Sequence, residues 1–254
     1  MGVKGLSKFL NKYSKVKQLS DYRGSVFAID THIYMYKFKF SGHIDRCFNR
    51  QIDNFRNLNI EPIYIFDGDK PVEKQETMKK RKEKNPFFVS HEEIRDVKKL
   101  FDQRNVKWYV APGEGEKFCS YLNREGIADT VLSNDYDCIA FGCKKLLVYQ
   151  KGLYVEFDTE KILDDLGIDI DIMISMCIMS GTDYCTKGVK NVGITKAFKI
   201  LKESDTCDIR KLNLKFDDFF SERLDNILNI FKNFNDENTL VDVCVTKQKN
   251  ISDQ

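Results

Sequence analysis

The sequence predicts an α/β fold: a parallel sheet flanked by helices, followed by a helical C-terminal part. Three observations carry this. Short runs rich in β-branched and aromatic residues alternate with helix-like stretches up to Tyr149. These runs are continuously apolar rather than alternating, the pattern of strands buried on both faces. After Tyr149 the β-rich runs stop, and apolar residues recur at helical spacing. A chain of 254 residues, 42% hydrophobic and with only 4 Pro, can bury a sizeable core and is not linker-dominated.

In chain order, strands are predicted at 25–30, 62–67, 106–110, 129–133 and 146–149. Between them, 31–58, 92–104 and 114–124 carry apolar residues at helical spacing. Further helices are predicted at 157–166, 170–181, 194–202 and 216–234, with Gly167, Gly181, Gly188 and Gly193 as punctuation. The expected organisation is an α/β core over 1–157 and a helical part over 158–254 that ends in a polar tail from 235. No internal repeat is present.

The longest apolar stretch, 172–179, is far short of a membrane span, and no secretory signal is visible at the N-terminus. Leu6 stands where a myristoylation site needs Ser or Thr. The eight cysteines form no C-x-x-C pair, and three histidines do not complete a zinc site. The expectation is a soluble, intracellular protein with reduced thiols, with no choice between the nucleus and a cytoplasmic, viral replication site.

Acidic residues supply the functional signal. Asp30 and Asp67 each close a predicted strand, and Asp135 and Asp137 lie just beyond a third. In open parallel sheets, ligands bind outside the carboxyl ends of the strands. With Glu114, Glu116 and Asp183 they form a set of seven. Singly, each reads first as a helix cap or an ordinary first-turn acid. Together they repel one another unless cations neutralise them. Oxygen donors without His or Cys suit Mg²⁺, with Mn²⁺ as the alternative. Two such ions about 4 Å apart activate water and stabilise the leaving oxygen of a phosphodiester.

The words around these acids carry a family resemblance. Met1-Gly-Val-Lys-Gly-Leu, Phe27-Ala-Ile-Asp30, Tyr64-Ile-Phe-Asp-Gly68, Ala111-Pro-Gly-Glu-Gly-Glu116, Ser133-Asn-Asp-Tyr-Asp137 and Ser180-Gly-Thr-Asp-Tyr184 occur in this order. From residue 1 to about 203 the chain resembles the flap endonuclease/XPG-type family of structure-specific 5′ nucleases. The resemblance implies a PIN-like fold and a two-metal site that hydrolyses DNA phosphodiesters and leaves a 5′-phosphate. Asp30, Asp67, Glu114, Glu116, Asp135, Asp137 and Asp183 match the metal-site positions, with Asp30 and Asp183 counted among the catalytic residues. Lys74 and Arg81 match the catalytic cations of a basic gateway helix. Tyr36, with Tyr34 as its competitor, matches an aromatic that stacks beside the cleavage site, and Gly2 matches a glycine that tucks near it.

The same resemblance covers the stretch 184–203. Residues 186–202 hold five lysines and no acid in a chain whose net charge is only +2. Lys190-Asn-Val-Gly-Ile-Thr-Lys-Ala197 resembles a helix–two-turn–helix element that holds one strand of duplex DNA, often with a bound K⁺. Gly188 and Gly193 would permit tight turns and close phosphate approach, with Lys190 and Lys196 beside them. Asn191 replaces a more usual glycine.

Departures are also visible. Only 47 residues separate Asp67 from Glu114, leaving a short gateway region (about 70–90) without room for a second arch helix. The interval from Asp30 to Asp67 is short for a duplex-wedging loop. The chemistry expected is a Mg²⁺-dependent DNA endo- or 5′-exonuclease acting at branched, flapped, gapped or nicked duplex in replication, repair or recombination. The competing readings are a Holliday-junction-resolving nuclease, a 5′→3′ exoribonuclease and a non-catalytic DNA-binding scaffold. No sliding-clamp motif is seen; the chain is expected to be a monomer off DNA, with dimerisation on DNA left open.

Overall fold

The computed structural model describes residues 2–69, 74, 88–204, 206–216 and 218–234. Among these, the strands are β1 (Lys15–Lys17), β2 (Val26–Asp30), β3 (Glu61–Phe66), β4 (Lys107–Val110), β5 (Thr130–Leu132), β6 (Lys145–Gln150) and β7 (Leu153–Asp158). The α-helices are α1 (Leu6–Leu10), α2 (Thr31–Phe40), α3 (Ile44–Asn57), α4 (His91–Gln103), α5 (Gly115–Arg124), α6 (Asp137–Ala140), α7 (Thr159–Leu166), α8 (Ile170–Ser180), α9 (Ile194–Lys202) and α10 (Asp218–Lys232). Residues 235–254, read above as a polar tail, and most of the gateway region lie outside the described residues.

The strands form one sheet in the order β1-β7-β6-β5-β2-β3-β4. β6, β5, β2, β3 and β4 run parallel, whereas β7 and β1 add an antiparallel edge. The sheet is therefore mixed rather than wholly parallel. The cause is a tight hairpin: Lys151 (φ 50°) and Gly152 (φ 82°) both take the left-handed backbone that a two-residue hairpin turn requires. The strand β7 that follows absorbs Phe157, which sequence periodicity had assigned to the start of a helix. Asp158 instead caps α7 through the Lys161 N–H.

The central strands β2, β3, β5 and β6 feed two cores by alternation. Phe27, Ile29, Tyr64, Phe66, Leu132 and Leu147 face a layer that holds Phe48, Phe55 and Phe101 from α3 and α4. Tyr64 stacks on Phe101 at 4.2 Å. Ala28, Ile63, Ile65, Val131, Leu146 and Val148 face the other layer, shared with α5, α6, α8, α9 and α10. The helical C-terminal part thus packs on the sheet face that carries α5. One expected helix, 31–58, is two: α2 ends at Ser41-Gly42, where Gly42 (φ 80°) takes the left-handed conformation that closes helices. No helix among the described residues is long and apolar enough to cross a membrane.

Candidate active site

The parallel strands deliver their acids to one edge. Asp30 ends β2, Asp67 follows β3, Glu114 and Glu116 follow β4, and Asp135 and Asp137 follow β5. Asp183 arrives separately, from the turn after α8. Asp30, Glu114, Glu116, Asp135, Asp137 and Asp183 are all buried. Their fields link all seven into one network. Asp30 feels Asp67 and Asp135. Glu116 feels Glu114, Asp67 and Asp30, and Asp137 feels Asp135 and Asp183.

Backbone and side-chain donors hold these carboxylates in place. Ser133 Oγ donates to Asp30 Oδ2 at 3.1 Å and accepts from the Asp135 N–H at 3.0 Å. The Gly115 N–H donates to Asp67 Oδ1 at 2.8 Å, and the Val3 N–H to Asp137 Oδ1 at 2.7 Å. Gly2 passes so close that a Cβ there would lie 2.2 Å from Asp137 Oδ1 and 2.3 Å from Asp135 Oδ1. Only glycine fits at that φ of 70° and in that space.

Lys74, 6% exposed, lies among the acids. Its ammonium pairs with Glu114, with Glu116 at 3.1 Å and with Asp183 at 3.8 Å. Burial pulls its pKa down, but Glu116 and Glu114 outweigh that and hold it protonated well above the usual lysine range. One ammonium cannot balance the whole cluster. Burial, then the charges of Asp67 and Asp135, push the Asp30 carboxyl up to about 7. Burial also raises Glu116, against the pull of Lys74, and burial followed by Asp135 raises Asp137. Arg81 lies outside the described residues.

These shifts set a pH dependence. The native state keeps a proton on Asp30 up to about 7, where an ordinary aspartate releases it near 3.8. Between those values the native state binds more protons than the unfolded chain, so stability falls as pH rises through that window. In a chelating buffer the melting temperature should drop from about pH 5 to about pH 8, and Asp30→Asn should flatten the slope. Melts that rise over this range, or an unchanged slope in Asp30→Asn, would contradict the electrostatics described here.

A donor set made only of carboxylate oxygens, with no His or Cys, suits hard divalent cations such as Mg²⁺ or Mn²⁺. The excess negative charge, visible in the raised carboxyls, is what such cations would neutralise. Among the described residues no three acids already stand at ligand spacing around a common point. Lys74 holds Glu114, Glu116 and Asp183 together instead.

The lysine-rich element joins α8 to α9. Gly188 (φ 57°) has no room for a side chain: a Cβ would lie 2.5 Å from the Met179 carbonyl oxygen. Asn191 (φ 60°) keeps the left-handed turn. Gly193 differs from expectation. Its backbone is extended, it caps α9, and a Cβ there would meet nothing within 4 Å, so its turn geometry does not demand glycine. Lys190 and Lys196 are exposed, and Lys196 Nζ reaches the Asn191 carbonyl at 3.3 Å. Tyr36 is 47% exposed and Tyr34 is buried, which separates the two competitors.

Two residues at the site escaped the sequence reading. The Tyr184 hydroxyl donates to Glu114 Oε2. His32 Nδ1 accepts from the Asp67 N–H at 3.1 Å. Tyr184 sits in a quoted motif but carries no titration or ligand signature, and His32 is recognisable only once β2 and β3 are adjacent.

Two family models match the chain in succession. The XPG N-terminal domain matches residues 1–86, and the XPG I-region matches 105–183. The chain belongs to the XPG family. Flap endonuclease 1-B of Oryza sativa subsp. indica is 26% identical over 255 residues, covering 80% of this chain and 61% of that protein. The chain therefore spans about three fifths of that relative's length. Among solved structures, the catalytic core of Rad2 in complex with DNA substrate superposes with a TM-score of 0.71 at 25% identity, over 89% of this chain and 80% of that one. Flap endonuclease-1 from Methanococcus jannaschii shares the fold, with a TM-score of 0.70 at 22% identity over 86% and 81% of the two chains. In both XPG models the matched residues include acids of the cluster: Asp30 and Asp67 in the first, Glu114 to Asp183 in the second.

Proposed function

We propose that this protein is a divalent-metal-dependent, structure-specific DNA 5′ nuclease that cuts at branched, flapped, gapped or nicked duplex, in DNA replication, repair or recombination. The observation that carries the reading is the convergence of seven acids, from four strand ends and one turn, on a buried site beside a lysine-rich two-turn element. Membership of the XPG family and the likeness to flap endonucleases support it.

Asp30, Asp67, Glu114, Glu116, Asp135, Asp137 and Asp183 would hold two Mg²⁺ ions, with Mn²⁺ as a substitute. When bound, such ions supply Lewis acidity and a water acidic enough to act as nucleophile near neutral pH. The chain's own groups do the rest. The buried carboxylates would hold the ions out of bulk solvent. Lys74, and Arg81 by sequence, would stabilise negative charge on the scissile phosphate. The exposed ring of Tyr36 suits stacking on a base at the cleavage point.

Duplex binding falls to the α8–α9 element. The N-terminus of α9, which no side chain caps, is suited to a phosphate, as is the basic surface of Lys190 and Lys196. A K⁺ ion at these turns is part of the same proposal. Each of Lys190→Ala and Lys196→Ala should weaken binding about equally on all duplex substrates and reduce the salt slope of log K by about 1. Unchanged slopes would move the duplex contact elsewhere. The protein is proposed to be a monomer off DNA, with dimerisation on DNA left to measurement.

The deciding experiment is an end-labelled substrate panel in Mg²⁺: 5′ flap, gap, nick, four-way junction, plain duplex and single-stranded RNA. Preferential cutting of flap, gap or nick is the expected result. Symmetric cutting of the intact junction would point to a resolving enzyme, attack on RNA alone to an exoribonuclease. No cleavage with retained DNA binding would point to a scaffold.

A further inference from the structure

We propose that Tyr184 is a positioning residue for Glu114, and that through it the packing of α10 sets the affinity of the carboxylate site for divalent cations. This rests on the metal-site reading above. The two oxygens of Glu114 have different partners. Oε2 accepts from the Tyr184 hydroxyl, and Oε1 accepts from the Lys74 ammonium. An arriving divalent cation competes with the ammonium for an oxygen, but not with the phenol. Tyr184 therefore keeps one oxygen of the carboxylate fixed while the other exchanges its partner. A carboxylate held in this way approaches a cation through a defined oxygen, without the rotamer freedom of an untethered glutamate.

Tyr184 is itself anchored at both ends. Its backbone N–H donates to Thr182 Oγ1 at 3.2 Å. Its ring meets the Phe231 ring of α10 edge-on, with centroids 5.7 Å apart and planes at 88°. Phe231 stacks in turn on Phe141 at 4.9 Å, just after α6, the helix that begins with Asp137. The aromatic column thus ties a C-terminal helix to ligand residues delivered by the sheet. Tyr184 acts through Glu114, so the part proposed for it is positional.

The test is Mn²⁺ binding to the DNA-free full chain, by calorimetry, for the parent, Tyr184→Phe, Phe231→Leu and Tyr22→Phe. Tyr22 is the control: its hydroxyl donates to Glu156 Oε2 at 2.7 Å, a buried bond of the same kind outside the acidic network. Tyr184→Phe should weaken Mn²⁺ binding by about 10- to 100-fold. Phe231→Leu should weaken it in the same direction by several-fold, and it carries the test alone if Tyr184→Phe fails to fold. Tyr22→Phe should lose stability without losing Mn²⁺ affinity. A Tyr184→Phe protein binding within twofold of the parent overturns the inference and leaves the proposed function standing, as does an equal loss in Tyr22→Phe. A parent that binds no Mn²⁺ overturns both.

Discussion

Asp183→Asn is expected to lower Mg²⁺-dependent cleavage by about a thousandfold or more while leaving duplex binding within a few-fold. Asp183 reaches the site from the turn after α8, interacts with Asp137, and lies 3.8 Å from the Lys74 ammonium. Asparagine preserves its shape but removes the charge. A divalent cation contributes several kcal/mol of transition-state stabilisation, and each 1.4 kcal/mol is tenfold in rate, so loss of one proposed charged ligand gives an effect of this order. Duplex binding is proposed to rest on Lys190, Lys196 and the N-terminus of α9, which lie seven or more residues beyond Asp183 in the same connection, and an isosteric Asp→Asn change keeps the shape of the turn. In chelator, the melting temperature should hold or rise, because one of seven mutually repelling acids has been neutralised. Cleavage within tenfold of the parent would remove Asp183 from the reacting centre.

Lys74→Met should produce the second large effect, in two separable readouts. Without metal, the variant leaves Glu114, Glu116 and Asp183 buried without the Lys74 ammonium that pairs with them. Removing one partner of such a group costs about 3 kcal/mol, or roughly 6 to 12 °C in melting temperature for a chain of this size. Saturating Mg²⁺ should return most of that loss, since a divalent cation neutralises the same oxygens. Cleavage in saturating Mg²⁺ should nevertheless stay about 100-fold or more below the parent if Lys74 has its proposed part, stabilising charge on the scissile phosphate. Full recovery of cleavage with Mg²⁺ would reduce Lys74 to a counter-ion of the metal-free state. A variant as stable in chelator as the parent would contradict the buried ion pairs.

Much of the fold was legible because its strands are apolar on both faces. The runs containing Ile29, Ile65 and Leu132 announce themselves as buried strands wherever the chain places them. Phe157 and the pair Lys15–Lys17 were not legible for the opposite reason. The antiparallel edge they build is polar on one face, and its pairing depends on a hairpin turn at Lys151-Gly152 that carries no strong sequence signal. The split of α2 from α3 turned on one glycine, Gly42, whose left-handed backbone is invisible to hydrophobic periodicity.

The sequence by itself determined the acids. Seven carboxylates, at strand ends and in the quoted motifs, pointed to oxygen-donor, divalent chemistry, because clustered like charges need protons or cations to neutralise them. Only the tertiary structure decided what stands between those acids. Parallel register carries Asp30, Asp67, Glu114 and Asp135 to one sheet edge. Chain folding then inserts Lys74 among the carboxylates and sets the Tyr184 hydroxyl against Glu114. These contacts join residues 40 to 70 positions apart in the chain. Local residue pattern encodes which side chains are present and how they alternate, whereas distance, burial and proton affinity exist only once the chain has closed on itself.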